Sequence, residues 1–113
     1  MTRRVAWALS IAAILLGLAH VSIGVMSFER LNFQALWFTG AGLAIVLGGM
    51  INLLGLTAAD EGNGRVLLII ANLVMAGFFA LALIILPAPQ VIVGLLLFAA
   101  LAALPLLRSR AAA

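Results

Sequence analysis

His20 is the single histidine of the chain, and it falls inside an apolar run. An ionisable side chain in such a place is costly, so by default it marks a ligand or proton position facing protein or a wet cavity. Reflecting its depth through the connecting loops sets it level with Ala41, with a third-helix position near Ala82 and with Gly94, all of them small. The expectation is an outer-leaflet cavity in which His20, Thr39, Gly42 and Gly94 form a candidate ligand or proton site, with Glu29 at its mouth if the first helix continues a turn. The competing expectation is that His20 only packs, hydrogen-bonded across a helix interface to Thr39 or a backbone carbonyl. Glu29 and Arg30 are equally explained as a solvated loop pair worth little energetically.

Asn52 and Asn72 are the other polar pair with a definite spacing. Each is ten residues from Gly62, the centre of the loop between the second and third apolar runs. In an antiparallel hairpin, residues equidistant from the turn lie at one depth, so the two amides can meet. An interhelical hydrogen bond there is worth about 0.6 to 2 kcal/mol and fixes the register of the hairpin. The functional alternative is a polar step on a permeation path, which two amides alone do not establish.

Most other chemistry is excluded by residue types. The chain has no Cys, so disulfides and thiolate metal sites cannot form. A lone histidine is a poor zinc site, since zinc generally takes three or four protein ligands. Haem would require His20 from two subunits, which the sequence does not support, and no cofactor is expected. Ser22 lies two residues from His20 and so on another helix face, which removes the obvious nucleophile and base pair. No His-Glu-x-x-His pattern, paired intramembrane aspartate or phosphate-binding glycine loop is present. The chain is therefore not expected to be an enzyme.

The elements that must position these residues follow from composition. Hydrophobic residues make up 67% of 113 residues and charged ones 8%, against roughly 45–50% and 25% in soluble domains. So short a chain could not hide this much apolar surface from water. Four runs match the bilayer core in length, at residues 5–26, 35–57, 66–86 and 89–107. Pro89 stands where a first-turn proline is tolerated, and Pro105 stands near the end of its span. Thr2-Arg3-Arg4 before the first run resembles the start of a signal peptide, but the run is longer than an h-region and no small-residue cleavage site follows, so an uncleaved signal-anchor is expected.

With four spans, Arg3, Arg4, Arg65, Arg108 and Arg110 fall on one side and only Arg30 on the other. The positive-inside rule then predicts cytoplasmic N- and C-termini in the plasma (inner) membrane. Trp37 with Phe33 and Phe38 would form the outer aromatic belt and Trp7 the inner one. Asn63 is placed to cap the third helix, after a flexible loop whose Asp60 and Glu61 read as solvated. The six arginines form no patch, which argues against nucleic acid as a partner.

Along the first run, Ala6, Ser10, Ala13, Gly17, His20, Gly24 and Ser27 recur at alternating spacings of four and three. Small residues in such a seam let helix backbones approach in lipid, and the average period predicts a left-handed crossing. Ala41, Gly48, Asn52 and Gly55 mark a similar face on the second run, and Asn72, Ala76 and Ala80 one on the third.

In number and length of spans the chain resembles the small multidrug resistance transporters, which work as dimers around a glutamate in their first helix. The first span here holds no carboxylate, so that function is not carried over. The fold expected is an all-α, polytopic membrane protein forming one transmembrane domain over residues 1–113, a four-helix bundle in up-down-up-down order. Its expected role is that of a non-enzymatic structural or accessory membrane subunit. The lipid bilayer is its first partner, and a homo-oligomer or a larger membrane complex its second. The alternative role is binding or transport of a small ligand through the His20 cavity.

Overall fold

The computed structural model describes residues 2–57 and 62–112, and the side chains of all of these except 108–112. It has four helices: α1 (Thr2–Ser27), α2 (Phe33–Thr57), α3 (Asn63–Ile85) and α4 (Pro89–Ala112). No strand occurs among the described residues. Every helix is long and apolar enough to cross a membrane. The expected positions of Asp60 and Glu61, and the side chains of Arg108 and Arg110, lie outside the described residues.

The helix ends extend and correct the sequence reading. α2 starts before Ala35, because the Asn32 side chain caps it by accepting the Ala35 N–H at 2.8 Å. At α3 the expected cap is not made: Asn63 is the first helical residue, and Gly62 stands at the N-cap position instead. Three residues assigned to the loop, Asn63, Gly64 and Arg65, are helical. The third and fourth helices are joined by the short turn at Leu86, Pro87 and Ala88, where the Leu86 N–H donates to the Ala82 carbonyl at 2.7 Å. Pro89 is the first residue of α4, and the helix runs on past Pro105 to Ala112 rather than stopping near it.

Side-chain neighbours show how the helices pair. Gly17 meets Val46, Gly24 meets Thr39 and Gly49 meets Ile14, so one residue number falls as the other rises. α1 and α2 are thus antiparallel. Gly55 against Leu68 and Asn52 against Asn72 give the same sense for α2 and α3, and Phe79 covers Gly94 across the α3–α4 interface. The most extensive contacts are within the α1–α2 and α3–α4 pairs; those of α1 with α4 and of α2 with α3 are thinner.

The core is narrow. One cluster joins Ala13, Ile45, Ala76, Phe79, Val91, Phe98 and Leu101, and a second joins Ala6, Leu56 and Leu104 nearer the other end. Outward faces carry Leu15, Val25, Met26, Leu54, Ile84, Ile85 and many other large apolar side chains, all exposed. Water-soluble monomers rarely leave contiguous apolar surface of this kind uncovered.

Candidate functional site

Ser10 and three glycines bring α1 and α2 to backbone contact. A Cβ built on Gly17 would stand 2.7 Å from the Val46 nitrogen and 2.8 Å from the Gly42 carbonyl oxygen. One on Gly42 would lie 2.9 Å from the Val21 nitrogen, and one on Gly49 would lie 2.8 Å from the Ser10 carbonyl oxygen. Ala6, Ser10, Ala13, Gly17 and Gly24 of the expected seam are buried. His20 is half-buried and Ser27 exposed, so the seam fades at its outer end. The Ser10 hydroxyl donates to the Ala6 carbonyl at 2.7 Å and is thereby satisfied inside its own helix.

On α2, Gly42 and Gly49 make this contact, together with Val46, and not the face marked from sequence. Gly48 faces the Phe98 ring and Gly55 faces Leu68. The sequence reading grouped residues for one partner where α2 serves three. A heptad count from Gly42 to Gly49 would have found the α1 face.

Asn52 and Asn72 are both buried and bond reciprocally. The Asn52 amide donates to Asn72 Oδ1 at 2.7 Å, and the Asn72 amide donates to Asn52 Oδ1 at 2.8 Å. Asn52 Nδ2 also donates to the Gly48 carbonyl at 2.7 Å. With the amides facing one another, each supplies the partner that an amide in an apolar interior requires.

His20 stacks on Phe38, with ring centroids 3.9 Å apart and planes 14° from parallel. Phe38 in turn tilts against Phe28 at 5.8 Å. The room for Phe38 comes from Gly24, whose missing side chain would lie 3.0 Å from the Phe38 ring and 2.9 Å from Thr39 Oγ1. Since Val21 meets Gly42, Phe38 lies about one helical turn outward of His20, a span that the two rings bridge. Phe33 and Trp37 remain outward as an exposed edge-to-face pair at 5.8 Å, whereas Phe38, expected in the same belt, is turned onto His20.

The remaining residues of the expected cavity go elsewhere. Gly42 is filled by the α1 backbone, Thr39 sits over Gly24, and the Phe79 ring covers Gly94. Glu29 is exposed in a bend beyond the end of α1, because the helix stops at Ser27. His20, Thr39, Gly42, Gly94 and Glu29 therefore do not enclose one space. The reason is physical: small residues at equal depth attract neighbouring backbones and rings in lipid more readily than they leave a void. Among the described residues no group of three His, Cys, Asp or Glu side chains could hold a metal ion.

Compared with family models, with curated proteins and with solved structures, the chain matches none. The geometry of its own residues is therefore what bears on its role.

Proposed function

We propose that the chain is a multi-pass integral membrane protein that threads the bilayer up-down-up-down and acts as a non-enzymatic structural or accessory subunit. The observation that carries this reading is how its interior polar groups are used. Ser10 bonds its own helix, Asn52 and Asn72 bond each other, and the interfacial glycines admit backbone rather than a ligand. The interior is spent on holding helices together, while the exterior is apolar along all four. Such a body presents helix faces for lipid, for further copies or for a larger membrane complex.

The arginine distribution favours the plasma (inner) membrane with both ends of the chain in the cytoplasm. Arg3, Arg4 and Arg65 lie towards the side on which α1 begins and α3 begins, with Arg30 towards the other. Trp7 stands near the first group.

Two measurements test the reading. The protein should stay in membranes washed with alkaline carbonate, and after mild detergent extraction it should run as an assembly larger than one chain. Release by carbonate would remove membrane integration. A strictly monomeric particle would remove the structural-subunit role.

A further inference from the structure

Where α1 begins and α2 ends, Trp7 faces Met50, Leu53, Leu54 and Thr57 across an open groove of about 280 Å³. Its lining is almost wholly apolar, and the Thr57 hydroxyl is already donated to the Leu54 carbonyl at 2.9 Å. Arg3 and Arg4 precede Trp7 by four and three positions and so share its side of α1. Arg3 Nη2 donates to the Leu56 carbonyl at 3.0 Å, which carries the guanidinium across to the turn of α2 that supplies Leu53 and Thr57. A guanidinium has five N–H donors, and among the described residues Arg3 directs one of them to the Leu56 carbonyl. Among the described residues no carboxylate pairs with Arg3 or Arg4.

An apolar trough ending in a tryptophan and two arginines has the polarity of a phospholipid. Indole rings favour the headgroup level, arginine stems lie along apolar surface with the charge beyond it, and the planar guanidinium matches phosphate oxygens in pairs. We propose that this groove binds one anionic phospholipid, with an acyl chain along Trp7, Met50, Leu53 and Leu54 and the phosphate on Arg3, Arg4 adding charge beside it. The site rests on the membrane-spanning reading above. Anionic headgroups are preferred because the net charge of the chain is +3 and a zwitterionic lipid carries its own cation to the same place.

The test uses the full chain with Trp37→Phe, which leaves Trp7 as the only one of the two tryptophans. It is placed in phosphatidylcholine vesicles doped with either dibrominated phosphatidylglycerol or dibrominated phosphatidylcholine, and Trp7 quenching is read. Brominated phosphatidylglycerol should quench as if enriched about fivefold, the factor that one arginine near an anionic surface supplies. Arg3→Gln should remove the preference, Arg3→Lys should keep most of it, and Arg65→Gln, an equal loss of charge away from the groove, should leave it intact. If Arg3→Gln loses helical circular dichroism, Arg4→Gln carries the same test, with a partial loss expected. Inorganic phosphate should not compete. Equal quenching by the two lipids, an equal effect of Arg65→Gln, or competition by phosphate overturns the lipid site while leaving membrane insertion intact. Quenching by neither lipid overturns the site and the membrane reading together.

Discussion

Asn52 and Asn72 stand side by side across the α2–α3 interface, each amide donating to the other's oxygen. Asn52→Leu strands the Asn72 amide in an apolar interior, and Asn72→Leu leaves Asn52 its bond to the Gly48 carbonyl but an unmatched Oδ1, whereas replacing both removes the demand. The double variant should therefore cost less than the sum of the singles, with a coupling of about 0.6 to 2 kcal/mol. Reversible unfolding in detergent over a double-mutant cycle reads this, and strict additivity would remove the contact.

Some glycines meet backbone, others meet only side chains, and a third group has open space. Gly17→Ala and Gly49→Ala should each destabilise by about 1–3 kcal/mol, because the added methyl meets main-chain atoms that cannot yield without the helices parting. Gly40 and Gly77 have open space around them. Gly40→Ala and Gly77→Ala should be neutral or gain up to about 1 kcal/mol from lower backbone entropy. Thermal unfolding of the four variants in one detergent would compare them, and a uniform response would contradict the packing described.

Topology is open to direct measurement. Reporter fusions at the N-terminus and the C-terminus should give cytoplasmic signals, and a fusion after Pro87 should give an external one. An external signal at either terminus would reverse the proposed orientation.

For His20 the two roles part in one variant. His20→Leu should keep the helices assembled, since an apolar side chain of similar size can cover Phe38, and it should leave any cellular phenotype unchanged if packing is the only role. A folded His20→Leu bundle with its phenotype lost would instead establish a ligand or proton role, against the reading proposed here. Phe38→Ala, which removes the stacked partner, should weaken the outer end of the α1–α2 pair without affecting the Asn52–Asn72 bond.

The helices were legible because run length and charge alone set them, and Asn52 with Asn72 because a hairpin fixes depth from its turn. The ends were less so. Asn32 and Asn63 look alike as caps in sequence, yet only Asn32 is used, since which residue turns outward at a helix start depends on how the chain enters it. The His20 surroundings are less legible for a different reason. Equal depth says which residues share a level, but not which face each helix turns inward or how far a ring reaches, and Phe38 arrives from the next turn. Gly94 was drawn to His20 by level alone, whereas the neighbouring Phe79 ring takes its space.

The unequal contact between helices bears on how the chain assembles. α1 with α2, and α3 with α4, are neighbours in sequence and hold the larger interfaces, one through glycine backbones and the other through Phe79 stacked on Phe98. Each pair closes over a short connection, which costs little loop entropy. On the membrane-spanning reading proposed above, the two hairpins are the units expected to close first and then dock, as preformed helices associate in lipid. The Asn52–Asn72 bond lies on the seam between those hairpins, so on this reading it belongs to the docking step: before the hairpins join, the Asn72 amide and Asn52 Oδ1 lack the partners that they have in the bundle, and their pairing favours the one alignment that supplies them.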